Sequence, residues 1–483
     1  MLGLDVGTQG ARALIVGLDG RVQGEASRAF PAGQLAAAQP GHFEQDPLLW
    51  QQASLGAIAE AVAAFTAAGH KAEEIAALAV TSTSGTLCLV DAAGAPVGPA
   101  MMYSDTRAAA IAEEVQDAGR ELAAKLGFRF NASFALSKLR WVQRHQPERL
   151  ERARWFLSPA DLLVGWLSGT WGLTDWTNAL KWGYDVLDLR WPEFIARDLG
   201  LPADKFPQVV APGTVLGQVA PSVAAETGLA PQTKVVAGST DGTASQLASG
   251  AVTPGDWNST LGTTLVLKGV TEKLLRDPLG RIYSHRHPDG HWLPGAASST
   301  GADCLAQRFA AARLEALNAA ALGHSPTDLI IYPLARRGER FPFIAPEATG
   351  FALGQTDDEE VLFAAHLEGL AYVERLSFQV LAELGAEVSE TIYVAGGGTQ
   401  SAAGLQIRAD VLQKCLRVPQ VPLGAMGAAI LAARGHVFPS LGEAARQMVH
   451  FRQVVEPRPG HLAAYDERYG RFLEACRARG YLV

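Results

Sequence analysis

Short apolar runs recur along the chain, and several end in a loop of glycine, threonine and aspartate. The first is Leu2-Gly3-Leu4-Asp5, followed by Gly7-Thr8-Gln9-Gly10, then Arg12 and a second run, Ala13–Val16. Asp19-Gly20 closes it with turn chemistry, so the pattern predicts strand, tight loop, strand. Ile75–Val80 predicts a buried strand, Thr81–Thr86 a polar loop, and Leu87–Asp91 a returning strand. Lys234–Gly238 predicts another buried strand, running through Ser239-Thr240-Asp241-Gly242-Thr243 into a helix. Trp257–Thr260, Gly262-Thr263-Thr264 and Leu265–Leu267 repeat the opening pattern. Thr391–Ala395 empties into Gly396-Gly397-Gly398-Thr399, with a helix to about Leu412. Helical spacing appears from Leu48 to about Ala68, where Trp50, Leu55, Ile58, Val62 and Phe65 recur. Residues 107 to 170 read mostly as helices, with Leu139, Trp141 and Val142 on one apolar face. Leu423–Leu431 reads as a small-residue helix able to pack tightly against the triple-glycine turn.

Strands alternating with helices predict an α/β fold. The opening pattern and its weaker copy lie about half a chain apart, the mark of a duplicated domain. Chance likeness of two Gly-Thr hairpins would also account for it. Ala251–Asp256 has turn chemistry and sets the boundary, giving domains 1–250 and 251–483. The length of 483 residues, against ~100–200 residues for a common domain, points to two large domains rather than one.

Composition narrows the function. With 48% hydrophobic and 19% charged residues, a sizeable core can be buried. A net charge of -8 argues against a nucleic-acid partner, which would want a basic face. Cys88, Cys304, Cys415 and Cys476 form no C-x-x-C, the pattern of reduced thiols in a cytoplasmic protein. There is no basic-then-apolar leader and no run of eighteen apolar residues, so neither export nor a membrane span is indicated. The histidines form no H-E-x-x-H, which leaves zinc hydrolysis without support.

The loops supply the candidate chemistry. Gly7 and Gly10 let the backbone bend and present N–H groups, Thr8 and Gln9 add donors, and Arg12 adds a fixed positive charge. Such a loop suits phosphate oxygens. Asp5, at its strand's end, suits magnesium, which takes hard oxygen ligands and keeps several waters. An ordinary glycine-softened hairpin is the alternative. Three glycine-bearing loops at strand ends could face one ligand cleft. Asp241, directly after a buried strand, could accept a hydroxyl proton while phosphoryl is transferred. Asp is also a preferred helix N-cap, and by position alone the cap is favoured.

Seven stretches, taken in order, resemble the FGGY carbohydrate kinase family: LGLDVGTQGAR at 2–12, GHFEQDP at 41–47, Lys138-Leu139 with Trp141, TDWTNA at 174–179, GSTDG at 238–242, LGTT at 261–264 and AGGG at 395–398. The resemblance spans essentially the whole chain. It implies two ribonuclease-H-like domains of the actin/Hsp70 superfamily, an ATP cleft between them, and ATP- and Mg2+-dependent phosphorylation of a sugar hydroxyl. By motif it carries over Asp5 as the magnesium-associated aspartate. Thr8, Gln9 and Arg12 match the first phosphate loop, Gly262 and Thr263 the second. Asp241 matches the catalytic base, and Asp5 and Asp241 fall beside the sugar. Gly301 and the glycines Gly397 and Gly398 match nucleotide positions. The implied partners are a small sugar and ATP, in a monomer or homodimer.

The sequence departs from relatives on the sugar side. Thr81–Thr86 stands where typical xylulokinases carry Gly-Gln-Met-His-Gly, and the Arg-Glu pair of glycerol kinases is absent. Ser84-Gly85-Thr86, Tyr283-Ser284-His285 and Tyr332 with Arg337–Pro342 resemble the smaller plant and cyanobacterial ribulose kinase branch. Ser84 would then bond a sugar hydroxyl; as a loop serine it could instead satisfy its own backbone. Asp105 and Arg107 read equally as a substrate-side element or an exposed local ion pair. After the triple glycine, Gln400–Ala403 replaces the usual Lys/Asn-Ser-Trp. The reading is a kinase of a five-carbon ketose, first D-ribulose, then D-xylulose or another polyol. An actin- or Hsp70-like ATP-driven protein is the alternative of a different class.

Overall fold

The opening apolar run forms β1 (Leu2–Val6), and the second lies in β2 (Gly10–Val16). They pair antiparallel in this computed structural model, which describes residues 1–33 and 39–482, with Asp5 opposite Arg12. Past the Asp19-Gly20 turn, β3 (Val22–Ala29) extends the ladder antiparallel. α1 (Pro47–Ala67) starts on the cap Asp46, whose side chain accepts from Leu48 N at 3.0 Å, with Pro47 in the first turn. Its buried Trp50, Ile58, Val62 and Phe65 pack α1 onto β2 and β3. Each such side chain removed from water contributes roughly 1.5–3 kcal/mol. β4 (Ala77–Ser82) follows, then α2 (Ala135–His145), α3 (Trp176–Ala179), β5 (Val215–Gln218), β6 (Lys234–Thr240) and α4 (Asp241–Ser249). The sheet order is β5-β6-β4-β1-β2-β3. β1, β4 and β6 run parallel, and β5 is an antiparallel edge.

Four residues read as loop are strand. Thr81 pairs with Ser239 and Ser82 with Thr240, extending the β4–β6 ladder. Thr81 Oγ1 donates to Ser239 O at 3.0 Å, so a polar side chain is satisfied inside the sheet. The stretch 107–170 is mainly helical, with one strand, Trp155–Leu157, paired to Cys88–Val90.

The second sheet is built from β7 (Trp257–Leu261), β8 (Leu265–Gly269), β9 (Ile282–Arg286), β10 (Trp292–Ala297), β11 (Thr391–Ala395), β12 (Cys415–Pro419) and β13 (Phe451–Val455). Its order is β9-β10-β8-β7-β11-β12-β13. β7, β8 and β10 are antiparallel, β7, β11 and β12 parallel, and β13 is an antiparallel edge. α5 (Glu359–Glu383) and α6 (Ala402–Leu412) pack together beside it, over a core that includes Trp257, Tyr372 and Phe363.

The chain divides into two compact units. The first is Met1–Gly250, His285–His291 and Val421–Val449; the second is Ala251–Ser284, Trp292–Gln420 and His450–Val483. The boundary read at 251 gives all later residues to the second domain, but Val421–Val449 belongs to the first unit. The small-residue stretch forms α7 (Gly424–His436), which packs on β1, β4 and α4. A Cβ on Gly427 would stand 1.8 Å from Ala244 O, and one on Gly3 1.8 Å from Ala425 O. Backbone meets backbone there, which only side-chain-free positions allow. Small residues signal a close approach but do not name the partner. The four cysteines are free thiols. Among the described residues, no helix is long and apolar enough to cross a membrane.

Candidate active site

In the first unit β1 delivers Asp5, the end of β6 delivers Asp241, and the turn after β4 delivers Ser84. Burial, then the negative charge of Asp241, push the Asp5 carboxyl up to about 6, while Arg12 across the strand pulls it down. Asp5 and Asp241 are thus brought close enough to feel each other. A cation beside Asp5 would relieve that repulsion. Magnesium needs only one or two carboxylates when phosphates and waters complete its shell. Among the described residues no cluster of three or more His, Cys, Asp or Glu could hold a metal, and Asp5 offers the single carboxylate that a nucleotide-borne magnesium would need.

Asp241 is not the N-cap. Thr240 takes that position, with Asp241 the first residue of α4 and Asp241 Oδ1 accepting from Gly242 N at 2.6 Å. The start of α4 is fixed from behind. Asp175, the buried cap of α3, accepts from Thr177 Oγ1 at 2.5 Å, and Thr177 Oγ1 accepts from Thr240 N at 3.0 Å. The TDWTNA motif therefore holds the backbone immediately before Asp241.

The Ser84 turn is held by two lysines. Lys138 on α2 is fully buried and donates to Gly85 O at 3.2 Å and Ala132 O at 2.8 Å. Burial, then the nearby Lys181, bring the Lys138 ammonium down to about 7. Lys181 donates to Ser84 O at 3.5 Å and is near enough to Asp241 for its charge to be partly held against burial. Ser84 Oγ is buried without a hydrogen-bond partner. A buried hydroxyl in that state costs about 1–3 kcal/mol until something meets it, and the self-satisfied loop serine is not what the structure shows. Sequence reading named Lys138 without a role and missed Lys181.

The Gly7–Gly10 loop is open at Gly7, where an added Cβ would meet nothing within 4 Å. Thr8 is half-buried, Gln9 and Arg12 are exposed, and Arg12 Nε donates to Ser27 Oγ at 2.9 Å. Gln45, from GHFEQDP, donates to Thr8 O at 3.3 Å and accepts from Trp50 Nε1 at 2.6 Å, tying the loop to α1. Asp105 and Arg107 are not an exposed pair. Asp105 is fully buried, accepts from Phe43 N at 2.8 Å, and binds Arg107, whose Nη1 also reaches Glu44 at 2.9 Å. Arg107 further sits 5.1 Å over the Trp141 ring. The cluster anchors the GHFEQDP loop, which local sequence could not reveal because its members are far apart in the chain.

In the second unit Gly262 and Thr263 form the β7–β8 turn, closed by Gly262 N donating to Thr264 O at 3.0 Å. Gly301 is pressed against it: a Cβ there would lie 2.3 Å from Thr263 O. The glycines of the third loop differ. Cβ atoms on Gly396 and Gly398 would lie 2.6 Å from Leu261 O and 2.8 Å from Leu261 Cδ2, whereas Gly397 faces open space. Packing accounts for the missing side chains of the first and last, and leaves that of Gly397 unexplained. Ser401 caps α6, accepting from Gly404 N at 2.8 Å, and bonds Asn318.

Comparison with known proteins accounts for this arrangement. The N-terminal domain of the FGGY family of carbohydrate kinases matches residues 1–248, and its C-terminal domain matches residues 258–436. The chain is 27% identical over 482 residues to the xylulose kinase of Bacillus subtilis (strain 168), covering 96% of this chain and 94% of that one. It is 30% identical over 447 residues to the xylulose kinase of Streptomyces rubiginosus, covering 90% and 87%. The solved xylulose kinase from Rhodospirillum rubrum superposes with a TM-score of 0.86 at 26% identity, over 99% of this chain and 98% of that one. With both domain types matched in order across the chain, the protein belongs to the FGGY family of carbohydrate kinases and transfers phosphoryl from ATP, with Mg2+, to a sugar.

Proposed function

We propose that the chain phosphorylates a five-carbon ketose, D-ribulose, to D-ribulose 5-phosphate, with Asp241 as general base. The observation that carries the substrate is the Ser84 turn: a short hydroxyl, buried and unpartnered, on a loop pinned by Lys138 and Lys181. It offers a sugar hydroxyl one small polar contact. Asp241 accepts the proton of the attacking hydroxyl as its oxygen bonds to the γ-phosphorus and ADP leaves. Asp5 would hold magnesium, which when bound would supply charge neutralisation at the phosphates. Thr8, Gln9, Arg12, Gly262 and Thr263 are assigned to phosphate oxygens, and Gly301, Gly397 and Gly398 to the rest of the nucleotide. The domain roles follow, with 1–250 for sugar, first phosphate loop and base, and the later half for nucleotide.

D-xylulose is the second reading, favoured by the names of the relatives. ADP release is measured with D-ribulose, D-xylulose, D-gluconate and glycerol. D-ribulose should give the highest kcat/KM, because a site built for particular hydroxyls rejects analogues that leave its polar groups unpaired. Ser84→Ala should lower that value roughly 2- to 13-fold, the worth of one hydrogen bond, and, by removing an unmet buried hydroxyl, should not lower the melting temperature. A clear preference for D-xylulose would replace the assignment.

A further inference from the structure

Glu339 is 3% exposed within the second unit, and its carboxylate is met by neutral donors. Oε2 accepts from Ser298 Oγ at 2.9 Å, Thr300 Oγ1 at 2.8 Å and Tyr332 OH at 2.8 Å. Oε1 accepts from the backbone N–H groups of Ser299 at 2.6 Å, Arg340 at 2.9 Å and Phe341 at 3.4 Å. A buried carboxylate is costly unless its charge is answered, and here six N–H and O–H dipoles answer it.

Three of those donors belong to Ser298–Thr300, the segment leaving β10. That segment is laced to the β7–β8 turn: Ser298 N donates to Leu265 O at 2.9 Å, Leu265 N to Thr300 O at 2.8 Å, and Ala302 N to Gly262 O at 2.8 Å. Gly301 then sits against Thr263 with no room for a side chain. One carboxylate therefore fixes a segment that in turn fixes the Gly262–Thr264 loop.

The geometry points to Glu339 as a positioning residue for the nucleotide: it holds Ser298–Gly301 so that the Gly262–Thr264 loop is preorganised for phosphate. The inference rests on assigning that loop to phosphate and is independent of which sugar is the substrate. Preorganisation lowers the ordering cost that binding must meet, so its loss appears in nucleotide affinity. A carboxylate that only stabilised the unit would lower the melting temperature and leave nucleotide and sugar constants together.

The test is Glu339→Gln in the full chain. The amide oxygen can still take the N–H donors, but the NH2 group replaces the acceptor of three hydroxyls. MgADP binding by calorimetry should weaken roughly tenfold, the order of losing hydrogen bonds to a charged acceptor. The sugar KM should stay within about twofold, and the Leu265 and Ala302 amides should exchange faster with deuterium. Unchanged MgADP affinity, or nucleotide and sugar constants rising together, would overturn the inference. Thr263→Val is run beside it: if that variant weakens MgADP while Glu339→Gln does not, the loop assignment stands and only the role of Glu339 falls. Should Glu339→Gln not fold, Thr300→Val removes one hydroxyl at equal volume. It should weaken MgADP about two- to threefold, and no change would equally overturn the inference.

Discussion

The two units carry related sheets, each with antiparallel strands leading into two parallel ones and an antiparallel edge, six strands in the first and seven in the second, yet their loops hold different chemistry. In the first, the strand ends present charge: Asp5 and Asp241, with Lys138 and Lys181 behind the Ser84 turn. In the second, the corresponding turns present glycines and hydroxyls, Gly262, Thr263, Gly301 and Gly397, over a carboxylate that faces inward. A common scaffold has been specialised by what its strand ends carry. Buried and interacting charges are gathered at the strand ends of the first unit, and side-chain-free backbone with hydroxyls at those of the second.

The sharpest way to break this contrast is Asp241→Asn. It keeps size and the first-turn position but removes the proton acceptor. Turnover should fall by roughly 10²–10⁴, the usual worth of a general base. MgADP affinity and melting temperature should hold, since Asp241 does not cap α4. A folded variant with near-normal turnover would return the carboxylate to a merely helical role.

Lys138 gives the next effect. Its ammonium titrates near 7 in the folded chain, against 10.5 when solvated. Between those values the unfolded state binds more protons, so folding stability should rise with pH across roughly 7 to 10.5 by about 1 kcal/mol per unit. Lys138→Met should lose that slope and gain stability relative to wild type at pH 6. Urea titrations of both proteins at pH 6, 8 and 9.5 check the sign. Parallel profiles would mean that the lysine stays charged in place.

The same small change in the two units should separate packing from binding. Gly427→Ala puts a Cβ where Ala244 O stands and should cost about 1–3 kcal/mol. Gly397→Ala meets open space, so stability should move by less than about 0.5 kcal/mol while MgADP affinity falls. Melting curves and calorimetry on both would reverse the assignment if the effects were exchanged.

Sequence pattern located the elements well where period and turn chemistry are local. The opening hairpin, α1, the Gly-Thr turn and the helix to Leu412 lie where the spacing places them. It erred where polar residues continue a ladder, at Thr81, Ser82, Ser239 and Thr240, because only a partner strand makes their backbone β. The motif residues were visible, but their neighbours were not. Asp105 and Arg107 became a buried anchor through residues 62 positions away, such as Phe43.

The sequence alone determined the repeated strand-loop-strand chemistry, the charged and glycine-rich loops, and the family they spell, because those signals are written within a few adjacent residues. Only the tertiary structure decided that α7 belongs to the first unit, that Asp5 and Asp241 share one field, and that Glu339 gathers the second loop. Those outcomes depend on contacts between residues far apart in sequence, where packing and hydrogen-bond satisfaction choose the partner and no local pattern names it.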